Sequence, residues 1–309
     1  MSARAHTGFV ATLGRAFARG ASPRLLGVFV VTLLLPTLLA MLPFRAFFHE
    51  HLGNYPGARD AVTSLGSLPL VQLVTRAGEP AAARSLGQGL VASLLVGLFL
   101  APFLAGAAVA EARSPSPLRM GELVRGGGEH YGRMVRMALV GLLPFAGAAI
   151  VSAVALGLAS KVVASAVLES SATRAERVRD VVVLAAFWMS HVTMETARAH
   201  VAAEPGRRSV FVAWLSGILL LLRRPHLVLG ITAITGLAGA ALAAIVVAVR
   251  MRLAQDGGPS VVFAFVLGQI AVAAVAWGRT SGLVALTELV RASGPSTAAG
   301  RGRAQGMLR

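Results

Sequence analysis

The chain contains no cysteine, which excludes disulfides and thiolate metal sites and says nothing about compartment. Charge is scarce as well. Only 14% of its 309 residues are charged, where a soluble domain of this size carries roughly a quarter, so a large soluble core is a poor reading. Lysine is all but missing: of 29 basic residues, only Lys161 is not an arginine. The signatures of common catalytic sites are absent too. There is no His-Glu-x-x-His, no Gly-x-Ser-x-Gly and no Gly-x-x-x-x-Gly-Lys run, hence no zinc-protease helix, nucleophile elbow or P-loop to build on.

What remains is apolar. Hydrophobic residues make up 56% of the chain, the mean hydropathy is +0.72, and the formal net charge is +16. A basic excess can signal nucleic acid. Here the arginines border apolar runs rather than a polar domain, so anionic lipid is the expected contact and nucleic acid is not an expected partner.

Six apolar segments reach the length of a bilayer crossing, roughly 20 residues. They are 25–44, 89–110, 137–159, 181–200, 226–249 and 261–282. The first, Leu25 to Phe44 behind a long arginine-bearing leader, exceeds the 7–15 residues typical of a signal-peptide core and reads as an uncleaved membrane helix. The segment 209–222 is apolar but too short to cross, and its bracketing arginine pairs place it in the interface. The expected fold class is therefore all-α: a polytopic integral membrane bundle of six transmembrane helices with interfacial helices on the cytoplasmic side. Three regions follow: a cytoplasmic amphipathic segment (1–24), the transmembrane domain (25–292) and a disordered cytoplasmic tail (293–309).

Orientation follows from where the basic residues fall. With the N-terminus inside, eighteen arginines lie on cytoplasmic pieces and ten basic residues on outside loops, Arg279 standing within the last span. Both termini are expected in the cytoplasm of a bacterial cell, and the protein in its inner membrane. In the long first outside loop, the apolar spacing from Asp60 to Arg76, interrupted by Pro69, fits either a short surface helix or a packed loop. The second, Lys161 to Asp180, is expected to extend its flanking helices.

The stretch from Asp180 to Gly230 sets out a unit: membrane helix, basic turn, surface helix, basic turn, membrane helix. Similar basic and apolar segments, Gly8 to Arg24, Arg119 to Arg136 and Arg207 to His226, lead into the first, third and fifth spans. The even spans end alike, in Glu111-Ala-Arg113, Glu195-Thr-Ala-Arg198 and Glu288-Leu-Val-Arg291. A triplicated helix and hairpin would produce this layout. The positive-inside rule acting at each boundary would produce much of it too.

Ionisable groups inside spans are the first candidates for function. His191, Glu195 and Arg198 fall at i, i+4 and i+7, on one face of the fourth span, where they are able to carry a proton or hold a lipid phosphate. Alternatively, Glu195 and Arg198 form a local pair whose side chains reach toward water. Arg279 follows an apolar run of about 18 residues in a span, with Glu195 or Glu288 as the expected partner; otherwise it is an interfacial arginine. Arg207, Arg208, Arg223 and Arg224 are the candidate contacts for anionic lipid. Three adjacent residues, His49-Glu50-His51, cannot all face one ion from a regular helix, and Gly126-Gly127-Gly128 lacks the strand and lysine of a phosphate loop. No metal site and no cofactor is expected. Pro36, Pro43, Pro102 and Pro144 are expected to kink their spans, and Gly230, Gly236 and Gly239 to give close helix packing.

Short stretches also carry a resemblance: Met120-Gly121-Glu122-Leu123-Val124-Arg125, Met194-Glu195-Thr196-Ala197-Arg198, Arg207-Arg208-Ser209 and Leu222-Arg223-Arg224-Pro225. Over residues 110–250 the chain is similar to uncharacterised bacterial six-span integral membrane proteins, and to the membrane domain that precedes the catalytic part of some glycerophosphodiester phosphodiesterases. In those relatives the fourth helix ends in an Asp-aromatic-Ala-Arg-like stretch; here Thr196 replaces the aromatic residue and Glu195 stands near the acid. The catalytic part, with its metal motifs, has no counterpart, so the resemblance implies a fold and a membrane location and argues against diesterase activity. The expected function is that of a non-enzymatic membrane protein that interacts with lipid or scaffolds another membrane protein. A small-solute or ion transporter using the polar intramembrane residues is the first alternative, an intramembrane lipid-modifying enzyme the second.

Overall fold

A computed structural model describes residues 3–53, 67–206, 209–253 and 258–293. Nearly all of the described residues are helical, and none is in a strand. The described helices are α1 (Ala3–Gly20), α2 (Pro23–Leu52), α3 (Ser67–Ala77), α4 (Pro80–Arg113), α5 (Met120–Ser165), α6 (Glu169–Ala203), α7 (Val210–Arg223), α8 (Pro225–Arg252) and α9 (Gly258–Ser293). Local chemistry sets several of the boundaries. Proline opens α2, α4 and α8, where its missing N–H costs no hydrogen bond. At the start of α5 the Glu122 carboxylate accepts the Arg119 N–H at 2.7 Å, and Ser209 Oγ accepts the Val212 N–H at the start of α7, each satisfying an otherwise unpaired donor.

Five helices, α2, α4, α5, α8 and α9, are long and apolar enough to cross a membrane. Their outward faces carry large apolar side chains such as Leu94, Leu98, Phe99, Leu142 and Leu237, each more than 60% exposed. Exposed apolar surface on this scale needs a non-aqueous surrounding, and the chain is a multi-pass membrane protein. The expected fourth span lies within α6. Its length of 35 residues is ample, but His191, Glu195 and Arg198 fall inside its apolar stretch, and α6 is not among the five.

Two expected surface segments differ from their reading. Residues 119–136 are not a separate interfacial helix: α5 runs unbroken for 46 residues, about 69 Å at 1.5 Å per residue, so its N-terminal half projects well beyond a hydrocarbon core of about 30 Å. The glycines Gly126 and Gly127 are buried within this regular helix. A Cβ on Gly127 would come within 2.6 Å of the Phe103 ring, and one on Gly106 within 2.9 Å of the Gly127 carbonyl oxygen. The Gly-rich run thus lets α5 approach α4 closely. The first outside loop is also shorter than expected, because α2 continues to Leu52 and α4 begins at Pro80. Of the stretch from Asp60 to Arg76, the part from Ser67 on is helical, as α3, and the part before Ser67 lies outside the described residues. The second loop contracts to residues 166–168, its neighbours extended as expected.

The helices assemble in three groups. α4, α6 and α9 touch one another at the centre; α2 packs on α4, the C-terminal half of α5 on α6, and α8 on α9. Cross-helix hydrogen bonds tie two of these hairpins: Ser93 Oγ donates to the Pro36 carbonyl at 2.7 Å and Ser190 Oγ to the Pro144 carbonyl at 2.8 Å. In the third, small residues permit contact of the backbones. Cβ atoms on Gly239 or Gly278 would come within 3.0 Å of the other's Cα. Of the three glycines expected to pack closely in α8, only Gly239 does so; nothing lies within 4 Å of a Cβ on Gly236. The three leading segments then close a ring, each on the last helix of the preceding group: α1 on α9, the N-terminal half of α5 on α4, and α7 on α6. A triplicated unit predicts this arrangement.

Candidate functional site

Near the centre of the bundle, three basic side chains converge on one oxygen. Arg198 Nη1 lies 2.5 Å from Glu195 Oε1, Arg279 Nη2 3.4 Å and His191 Nε2 3.7 Å. The i, i+4, i+7 spacing turns His191, Glu195 and Arg198 to one face of α6, and the packing of α9 on α6 brings Arg279 to the same place. Of the two readings of this face, the local Glu195–Arg198 pair is present, and it is extended by a partner from another helix. Glu195 itself is buried at 8% exposure, while Arg279 is about half exposed. A charged side chain at the centre of a membrane helix costs about 2.5–3.5 kcal/mol on insertion scales; mutual pairing offsets part of that for each member.

The cluster floors a cavity of about 560 Å³ between α2, α4, α6, α8 and α9. Its walls are apolar, and many are small: Ala101, Ala105 and Ala108 on α4, Ala243 on α8, and Ala271 and Ala276 on α9. Among the described residues, the polar side chains on the lining are Glu195, Arg198, Arg279 and Thr280. Thr280 Oγ1 donates within its own helix to the Ala276 carbonyl. The Arg198 Nε is buried without a hydrogen-bond partner. Glu195 lies eight residues before Ala203, the end of α6, so the floor sits about 12 Å inside that helix. Arginine-bearing α1 and the connection from α4 to α5 cluster at the same end of the bundle.

Glu288 does not join this cluster. It pairs with Arg15 of α1 at 3.3 Å, because nine residues along α9 separate it from Arg279 by about 14 Å. Arg223 and Arg224 are exposed at the end of α7, next to exposed Leu222. Arg207 and Arg208 lie outside the described residues. His49, Glu50 and His51 follow one another along α2, and His51 Nδ1 lies 2.9 Å from the Phe47 carbonyl of its own helix. Among the described residues, no three His, Asp or Glu side chains gather in a metal-binding group.

Sequence reasoning missed a second polar assembly, at the end of α4. Arg19 Nη2 donates to the Glu111 carbonyl at 2.9 Å and to the Ser114 carbonyl, and Arg291 reaches the Ala112 and Arg113 carbonyls at 3.3 Å. These arginines cap the C-terminal carbonyls of a helix, where positive charge is favoured. Positive-inside counting had assigned them only to the surface. The sole hint was the recurrence of glutamate before arginine in the even spans. A second cavity, of about 680 Å³ between α5 and α6, is lined by Val151, Val154, Arg174 and Arg179 among others, and no carboxylate among the described residues lines it.

No protein-family model matches the chain, and neither a curated protein nor a solved structure is significantly similar to it. The likeness of residues 110–250 to a phosphodiesterase membrane domain thus rests on its short motifs alone.

Proposed function

We propose that this chain is a non-enzymatic, six-span protein of the bacterial inner membrane, both termini cytoplasmic, that binds membrane lipid in the cavity above Glu195, Arg198 and Arg279. The observation that carries the reading is the convergence of those three charges under an apolar space within the membrane-crossing bundle. α6 serves as the sixth span. The charges that lower its hydropathy are paired with one another, it packs against α4, α5 and α9, and its outer face carries exposed apolar side chains such as Val181 and Leu184. The lining holds one carboxylate, contacted by two guanidiniums, and one hydroxyl, bonded to its own helix. This favours binding over catalysis. The partial likeness to a six-span membrane domain is in keeping with the same architecture.

The reading is tested by native mass spectrometry of protein extracted in mild detergent. The wild type is expected to retain one lipid, and Ala271→Trp, which fills the cavity, to lose it; Ala243→Leu serves if the first variant fails to fold. A wild type that carries no lipid, or cavity-filled variants that keep theirs, would overturn it.

A transporter is the second reading, favoured by His191, whose ring is 43% exposed and 3.7 Å from the buried Glu195. It requires proton-dependent flux into vesicles that disappears in His191→Ala. Unchanged flux in that variant removes it.

A further inference from the structure

The cavity floor has a charge of one sign left over. Two guanidiniums face one carboxylate, so even with His191 neutral the floor carries a formal excess of one positive charge. Two of its donors are also poorly used. Arg198 Nε is buried with no partner, and an unmade hydrogen bond of this kind costs on the order of 1–3 kcal/mol. Arg279 is about half exposed, and its contact with Glu195 is long, at 3.4 Å. Arg279 is therefore the group freest to turn toward a ligand without breaking the tighter Arg198–Glu195 pair.

The space above the floor sets the other half of the ligand. Lining residues run along α9 from Ala271 to Leu283, a rise of about 18 Å. The apolar part of that stretch, from Ala271 to Arg279, rises about 12 Å, and the polar groups Arg279 and Thr280 lie toward the Leu283 end. The volume of about 560 Å³ falls in the range of roughly 300–1,000 Å³ that encloses one small ligand. That suits one hydrocarbon chain better than a whole two-chain lipid. The shape and charge together describe an amphiphile held head down by its anionic end.

Resting on the lipid-binding reading, we infer that the lipid held here is anionic. Its phosphate accepts hydrogen bonds from Arg279 and Arg198, and one of its acyl chains lies along α4 and α9. A zwitterionic lipid offers the same phosphate but brings a cation beside the two arginines, and forgoes the leftover charge. Arginine suits this role because its fork presents two parallel donors to a phosphate.

The test uses delipidated full-length protein titrated in detergent with phosphatidylglycerol, with phosphatidylcholine and with inorganic phosphate, bound lipid being counted by native mass spectrometry. One phosphatidylglycerol is expected to bind at least tenfold more tightly than phosphatidylcholine. Arg279→Gln is expected to lose that preference, while Arg279→Lys, which keeps the charge, retains most of it. Because surface arginines also attract anionic lipid, the double variant Arg223→Ala with Arg224→Ala is expected to leave the tight site intact. Equal binding of the two lipids, or a preference that survives Arg279→Gln, overturns the anionic assignment while leaving lipid binding standing. Binding of neither lipid overturns the lipid reading itself. Inorganic phosphate binding as tightly as phosphatidylglycerol would make this a site for a free anion and refute the acyl-chain half of the assignment.

Discussion

The ends of α4 and α6 are spelled in nearly the same letters and do different things. Each has a buried glutamate, Glu111 at 1% and Glu195 at 8% exposure, followed within three residues by an arginine. In α4 the pair separates. Glu111 Oε2 accepts the Leu118 N–H at 3.1 Å, and Arg113 turns away to His130 at 3.0 Å. In α6 the arginine folds back onto its glutamate and a second one joins it. Depth explains the difference. Glu111 stands two residues from the end of its helix, where the connection to α5 offers unbonded backbone N–H groups. Glu195 is surrounded by helices whose N–H groups are already committed to their own carbonyls, so only charged side chains are left to satisfy it. The same motif makes a brace at a helix end and a charged cluster inside a bundle.

The largest expected effect breaks that contrast directly. Glu195→Ala leaves two guanidiniums against apolar walls and is expected to cost about 3 kcal/mol, as for a buried ion pair that loses one partner. Glu111→Ala removes a neutral-donor hydrogen bond and is expected to cost nearer 1–2 kcal/mol. Thermal unfolding midpoints in one detergent compare the two. Adding Arg198→Met to Glu195→Ala is expected to recover part of the loss, since apolar replacement of a whole buried ion group is often neutral. Equal losses at the two glutamates, or no recovery, would mean that depth is not what separates the sites.

Glycine contacts sharpen the comparison at a smaller scale. On α7, a Cβ at Gly217 would lie 2.9 Å from the Ala197 backbone nitrogen, on the rigid turn between Glu195 and Arg198. On α5, a Cβ at Gly127 would meet the Phe103 ring at 2.6 Å, and a ring can turn aside. Gly217→Ala is therefore expected to cost about 2 kcal/mol, within the 1–3 kcal/mol typical of overpacking, and Gly127→Ala less. The same melting measurement decides, and the reverse order would show that α4 and α5 are the more tightly fitted pair.

Much of this architecture was legible from the residues. Apolar run length picked out the five helices long and apolar enough to cross, along with α6, which is not among those five, and 3.6-residue periodicity put His191, Glu195 and Arg198 on one face. Which helix would face them was not legible. The spacing within α6 says nothing about the rotation of α9, so Arg279 had two eligible partners, Glu195 and Glu288, and packing alone chose between them. The cavity was hidden for a similar reason: Ala105, Ala243 and Ala271 read as ordinary small residues until three helices set them around one space. The long α5 was misread because arginines and glycines from Arg119 to Arg136 look like a boundary. Within a helix that leaves the bilayer, those same residues cost little, and Gly126 and Gly127 are what its packing on α4 requires.

The smallest effect separates depth from mere proximity of charge. Glu288 meets Arg15 at 3.3 Å, much the same distance as Glu195 to Arg279, and the two arginine side chains are similarly exposed, at 62% and 54%; the carboxylate side chains differ, Glu288 at 25% against Glu195 at 10%. Exposed pairs of this kind contribute about 0–1 kcal/mol, so Glu288→Gln is expected to lower the melting point slightly. Raising salt from about 0.1 M to about 1 M shortens the screening length from about 10 Å to 3 Å. The small gap between Glu288→Gln and wild type is then expected to close. The larger gap at Glu195→Gln is expected to persist, because Glu195 is itself buried, at 8% exposure for the whole residue, and is held by Arg198 at 2.5 Å as well as by Arg279. A Glu195→Gln deficit that vanished in salt along with the Glu288 one would mean that solution ions reach the floor, and that the two carboxylates are surface groups of the same kind.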